Sequence, residues 1–189
     1  MNETKIEVLE DGKPLVYGFA DIMHYHGYGF PGGVAHAFKV MERAFPLLSA
    51  EGPPERREIS IRTAFRGPGG RDAFEMVTRA LTEGRYSVDP SLDRSERGDI
   101  LARYVFELSY RGRTVTLQLC DGHVREEFIM LGRKPDPTPQ EEERLAWLKQ
   151  EMADRLLALP PEAVYEEGRP LSLEHDAEKC ERFSGDIML

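Results

Sequence analysis

Apolar residues along the chain fall into a few stretches whose spacing sets the type of element each forms. After Pro31, the residues Val34, Phe38, Met41, Phe45 and Leu48 recur at three- and four-residue intervals, which predicts a helix to about Leu48 with this stripe in the core. Pro31 suits the first turn, where its missing N–H costs nothing, and Gly32-Gly33 allow a backbone or a ligand to come close. His36 falls roughly 200° around that helix from Val34, which predicts a surface position. Glu51-Gly52-Pro53-Pro54 interrupts the chain, and Ile59, Ile61, Thr63 and Phe65 then alternate with charged or small residues as a half-buried strand does. The glycine-rich stretch from Arg66 to Asp72 reads as a flexible turn. Asp72 stands at the N-cap of a second amphipathic helix built on Phe74, Val77 and Leu81.

Residues 86–99 are polar and punctuated by Pro90 and Gly98, which predicts a surface loop with a short strand at its start. Two runs rich in aromatic and β-branched residues follow, Leu101 to Tyr110 and Thr114 to Leu119, joined across Arg111-Gly112-Arg113 as a hairpin. Asp121-Gly122 supplies another turn before a third expected strand, Val124 to Leu131, completing an antiparallel meander. Thr138-Pro139-Gln140-Glu141 has the form of a capping box and opens a helix through Leu159, with Leu145, Leu148, Met152 and Leu156 on its buried stripe. Pro160-Pro161 ends it, and an irregular polar tail is expected beyond. The order helix, strand, helix, three strands, helix predicts an α+β fold, a mainly antiparallel sheet with helices on one face. The domain is expected to cover residues 1–166, with 167–189 as a tail.

Charge narrows the range of partners. Lys and Arg number 25 against 34 Asp and Glu, and the formal charge of −9 opposes binding to nucleic acid or anionic lipid. No apolar run approaches the roughly 20 residues of a membrane span, and the polar start MNETKIEVLEDGK lacks a secretory pattern, so a cytoplasmic protein is expected. Two cysteines, Cys120 and Cys180, give no disulfide framework.

The residues with candidate chemistry gather ahead of the first helix. His24 and His26 form an HxH pair flanked by Tyr25 and Tyr28. In an extended segment both imidazoles face the same side, a spacing that suits two ligands to one transition metal. The plainer alternative is that the rings bond backbone groups at a helix entrance. Cys120, His123 and Cys180 are candidate further ligands, although Cys120-Asp121-Gly122-His123 is more readily a plain turn. Tyr28 beside His26 offers a phenol for orienting a substrate or relaying a proton, so His26 and Tyr28 are the catalytic candidates, against a packing role for Tyr28. Phe30 brings apolar surface suited to an organic ring.

The stretch His26-Gly27-Tyr28-Gly29-Phe30-Pro31-Gly32 resembles the HGHxCPG signature of the FmdE-like family of formylmethanofuran dehydrogenase components. His26, Gly27, Pro31 and Gly32 keep that pattern, while Tyr28 stands at its second His and Phe30 at its Cys. Gly69-Gly70-Arg71-Asp72-Ala73 is similar to the family's CGxDA segment with Gly69 at the Cys, and Thr82-Glu83-Gly84-Arg85 resembles its TxGK element. The likeness runs from about residue 18 to residue 166, and Lys179 to Asp186 looks like a degraded remnant of a C-terminal zinc module with Cys180 as its one thiolate. The resemblance implies a homodimeric α+β domain acting as a redox-associated accessory protein. It implies a divalent metal, zinc, at His24 and His26, and a pocket that Tyr25, Phe30 and Asp72 help to form. Loss of the family's thiolates leaves two other functions open: an organic-ligand-binding module, and a structural partner of a molybdenum or tungsten oxidoreductase.

Overall fold

In the computed structural model, which describes residues 4–169, the chain begins with an antiparallel hairpin of β1 (Lys5–Glu10) and β2 (Lys13–Gly18). Asp11 and Gly12 turn it with φ of 51° and 73°, the left-handed pair that a tight hairpin turn requires. The helical periodicity starting at Pro31 does not reveal this hairpin. Its signal is the Asp-Gly pair between short alternating runs, in which Ile6 and Val8 are the buried residues.

Helix α1 (Phe19–His26) follows at once, with the Gly18 N–H donating to Asp21 Oδ2 at 2.8 Å. Gly27 stops it at a φ of 86° while its N–H bonds the Met23 carbonyl at 2.8 Å. Four residues later α2 (Pro31–Leu48) starts with Pro31 in its first turn, over the span expected. α2 is the central helix, touching α1, the sheet and the two later helices, α3 (Pro68–Thr78) and α6 (Pro139–Leu157).

That central position corrects the placement of His36. It is 1% exposed, because neighbours cover most of α2 and leave only a strip around Glu42, Arg43 and Pro46 open to water. Lys39 on the same helix is also buried. Its ammonium donates to the Leu159 carbonyl at 2.6 Å just past α6 and pairs with Glu42 at 2.8 Å.

α3 corrects a second expectation. Arg66 to Asp72 is not a flexible turn: Pro68 occupies the first helical position after Gly67, and Asp72 lies inside the helix instead of at its cap. Glycine permits this early start. A β-carbon on Gly69 would lie 2.6 Å from the Phe30 carbonyl oxygen and 2.9 Å from the Val34 nitrogen, so α3 rests directly on the backbone of the α2 N-terminus. The other end of α3 is closed by Arg56, which donates to the carbonyls of Val77 at 2.8 Å and Met76 at 2.6 Å, and by Arg85, which donates to Thr78 at 3.0 Å. Thr82 bonds Glu75 through both its backbone and its side chain, so the Thr82 to Arg85 element serves to fasten α3 to the sheet.

The main sheet has the order β4 (Tyr86–Val88), β3 (Ser60–Thr63), β5 (Val105–Tyr110), β6 (Arg113–Leu119), β7 (Tyr165–Glu167). β3 pairs in parallel with β4 and antiparallel with β5, which forms the expected hairpin with β6. Ile61, Phe106, Leu108, Leu117 and Leu119 line the buried face. The opposite face is mainly polar apart from Val105, which is buried in a small cluster with Ala64 and Leu92, and it carries cross-strand pairs, Arg62 with Glu107 at 2.7 Å and Ser109 with Thr114 at 2.9 Å. The class is therefore α+β, with a mostly antiparallel sheet.

Three further boundaries differ from expectation. Residues Gly98–Leu101 form a short helix, α4, so β5 begins only at Val105. The expected third strand from Val124 is helix α5 (Glu126–Arg133), with Glu126 and Glu127 in its first turn and Arg133 in its last, a charge order that favours a helix dipole. The strand beside β6 is instead β7 (Tyr165–Glu167), which follows the short helix α7 (Pro161–Val164) in a segment expected to be irregular. The capping box of α6 is present as expected, Glu141 N–H donating to Thr138 Oγ1 at 3.3 Å and Thr138 N–H to Glu141 Oε2 at 2.8 Å. Most buried apolar residues from Ile6 to Tyr165 form one continuous core, and Ala64, Leu92 and Val105 form a second, small cluster. Cys180 and the remnant at 179–186 lie outside the described residues.

Candidate functional site

The helical conformation of α1 separates the two histidines expected to act together. Residues two apart on a helix point roughly 200° from each other, so His24 and His26 do not converge as they would on a strand. His24 is exposed, whereas His26 follows Ile22 by one turn onto the buried face and its side chain is 6% exposed.

His26 meets Asp72 there, with Nδ1 2.8 Å from Asp72 Oδ2. The other carboxylate oxygen of Asp72 takes the Arg71 Nε–H at 3.1 Å. A carboxylate on Nδ1 holds the proton of a neutral imidazole at that nitrogen and leaves the Nε2 lone pair as the working end of the ring. Nε2 is buried and has no hydrogen-bond partner among the described residues. A buried nitrogen without a partner is costly, and His36 Nε2 is in the same state.

The loop between α1 and α2 supplies the surroundings. The Phe30 ring centroid lies 5.9 Å from that of His26 at an interplanar angle of 52°, and Phe30 is 42% exposed. From α6, Lys149 places its ammonium 4.3 Å from the Phe30 centroid and donates to the Gly29 carbonyl at 3.2 Å. Burial pushes the Lys149 pKa down, since a half-buried ammonium loses hydration. Tyr25 is exposed, and Tyr28 is 93% exposed, so nothing fixes its hydroxyl toward the His26 ring.

The fold thus gathers His26, Asp72 and Phe30 from the residues singled out in the sequence, and separates them from His24. Asp72 has a different task from the capping expected of it: it orients His26. Lys149 joins the site from 120 residues away, and no local pattern in the sequence marks it. Cys120 and His123 lie elsewhere, with His123 Nε2 2.9 Å from the Ala163 carbonyl and Arg155 donating to the His123 carbonyl at 3.1 Å.

A zinc site takes three protein ligands when catalytic and four when structural. Among the described residues no three His, Cys, Asp or Glu side chains are grouped to hold a metal ion. Gly69 cannot carry a thiolate in this packing, because the Phe30 carbonyl occupies the space of a β-carbon. The described residues therefore supply one oriented imidazole and no metal cage.

Cavities among the described residues lie away from the dyad: one of about 410 Å³ is lined by Met41, Phe45, Pro46 and Pro54, one of about 810 Å³ by Arg97, Gln118 and Glu166, and one of about 330 Å³ by Trp147, Gln150 and Arg155. A second buried imidazole, His36, bonds the Tyr165 hydroxyl through Nδ1 at 2.8 Å, and burial lowers its pKa to about 3. No family model and no curated protein matches the chain.

Proposed function

We propose that the chain is a ligand-binding accessory module related to the FmdE-like components of formylmethanofuran dehydrogenase, and that its ligand meets His26 Nε2. One observation carries this reading: the Nε2 atom is buried without a partner among the described residues while Asp72 grips the opposite nitrogen. A structural histidine commonly satisfies both nitrogens. A carboxylate behind the ring instead fixes the tautomer, as it does for imidazoles that bind metals or take protons.

The half-exposed ring of Phe30 supports an organic ligand in preference to a bare ion, since it offers a flat apolar surface beside the imidazole. Lys149 and Arg71 add positive charge around the dyad, which disfavours a metal cation. A metal-binding version of the same site is favoured by the pairing of His26 with Asp72. It would use His26 as ligand.

Thermal-shift screening of redox and one-carbon cofactors, together with zinc, nickel and iron salts, tests the reading. A stabilising ligand is expected for the wild type, and His26→Ala should abolish the shift. A ligand that stabilises wild type and His26→Ala equally would place binding elsewhere and reject it. Metal content measured on protein purified without an affinity tag separates the two versions: near-stoichiometric metal that disappears in His26→Ala selects the metal site.

A further inference from the structure

We infer that the cavity between β1 and the C-terminal turns of α2 takes an extended, basic peptide segment of a partner protein, added alongside β1 as a further strand with an apolar side chain in the cavity. It lies at the other end of α2 from His26 and does not depend on the reading of that residue.

The cavity, of about 410 Å³, has an apolar lining of Ile6, Met41, Phe45, Pro46 and Pro54, and Lys5 and Glu7 of β1 border it. One edge of β1 is paired with β2. On the other edge, the Leu9 N–H donates to the Pro54 carbonyl at 2.8 Å. Peptide groups along a strand alternate in direction with a period of two, so the main-chain groups of Glu7 and Lys5 face the same side as those of Leu9. No hydrogen bond to the main chain of Lys5 or Glu7 on that side is found among the described residues. The chain that returns after α2 covers this edge only at Leu9, in a parallel bridge with Glu55. Two N–H and two C=O groups thus stand in a row beside an apolar recess. Lys5 and Glu7 are about 6.8 Å apart along the strand, a spacing that another extended backbone matches and a compact small molecule does not. Main-chain bonds to the edge and a pocket for an alternate side chain are the two parts of recognition by strand addition.

Charge selects a basic segment. Pro46 has no N–H, so the Glu42 carbonyl four residues earlier lacks its helical donor. No Lys, Arg or His stands in the last turn of α2 to answer the negative end of the helix. Glu42 is paired with Lys39 at 2.8 Å, whereas Glu7 is exposed and forms no ion pair among the described residues. Lys5 is the cation of the lining, and the net charge of −9 draws cationic segments from a distance.

Titration calorimetry with the peptide acetyl-Lys-Val-Leu-Val-Lys-amide tests this assignment. It is expected to bind the wild type roughly tenfold or more tightly than acetyl-Glu-Val-Leu-Val-Glu-amide. Two methylated forms of the basic peptide, one at the leucine nitrogen and one at both valine nitrogens, should differ: the form whose lost N–H groups face β1 fails to bind, and the other binds as before. Ala50→Trp, at an exposed position of the lining, should fill the cavity and abolish binding with an unchanged thermal midpoint. Glu7→Lys, also at an exposed position, should remove the preference for the basic peptide and provides the test if Ala50→Trp alters the fold. His26→Ala should bind the peptide as the wild type does. No binding, equal affinity for the basic and acidic peptides, the same result for both methylated forms, or undiminished binding in a folded Ala50→Trp would each overturn the inference. Loss of binding in His26→Ala would place the peptide elsewhere and overturn it as well.

Discussion

His26 and His36 each bury an imidazole whose Nε2 meets no partner among the described residues, and they differ in what stands behind the ring. Asp72 gives His26 a charged partner, whereas His36 has the neutral Tyr165 hydroxyl and three aromatic neighbours, Phe65, Tyr104 and Tyr165. Burial together with the nearby His123 and Arg155 holds His36 at a pKa of about 3, against 6.5 for an ordinary imidazole. Between these values the unfolded chain binds more protons at this position than the folded one, so stability rises with pH across that window. It is lost progressively as pH falls from about 6.5 toward the folded value. The urea midpoint is therefore expected to drop between pH 7 and pH 5, and to drop less steeply in His36→Gln, even though that variant starts lower. Parallel curves for the two proteins would show that other groups set the acid sensitivity. Both histidines are visible in the sequence, but their environments are not. An HxH pair reads as convergent on a strand and divergent on a helix, and nothing in Phe19 to His26 forces the choice before tertiary packing does.

At the level of elements, legibility follows the strength of the local signal. α2 and α6 carry sustained helical periodicity with proline in the first turn, and α6 adds a complete capping box, so both are readable. β5 and β6 are readable from their aromatic and β-branched content around Arg111-Gly112. α5 is not. Phe128, Ile129 and Leu131 look like strand residues, while the helix depends on end charges and contact with α6. The α2–α3 contact is equally hidden, because glycine announces only freedom and not what will approach it. Gly69 gives a sharp prediction here. Gly→Ala inside an exposed helix stabilises by about 1 kcal/mol. Gly69→Ala should destabilise instead, since its methyl group would sit 2.6 Å from the Phe30 carbonyl, and this backbone atom cannot swing aside as a side chain would. Chemical denaturation measures the sign, and a raised midpoint would mean that the two helices separate without cost. Because Phe30 belongs to the candidate site, the same substitution should also weaken any ligand bound at His26.

For the molecule as a whole, α2 joins the helical layer to the sheet, and one core extends from Ile6 in the first strand to Tyr165 in the last. Such an arrangement should unfold as a unit. Phe38, buried at the middle of α2 and edge-on to Phe19 at 6.2 Å, is the residue to truncate: Phe38→Ala should cost roughly 3–5 kcal/mol. Far-ultraviolet circular dichroism follows all the helices, and the fluorescence of Trp147, the single tryptophan, follows α6. The two denaturation curves should coincide in the wild type, and a separate early transition at Trp147 would show that α6 is an independent unit.

Tyr165 carries a temporal consequence. Its ring enters the core from the final strand of the sheet, and its hydroxyl is the only hydrogen-bonding partner found for the His36 side chain among the described residues. A nascent chain that has emerged only as far as Pro161 holds α2 and most of the sheet, yet leaves that imidazole unmet and the outer edge of β6 bare. The core around His36 is therefore complete only once the strand bearing Tyr165 pairs with β6.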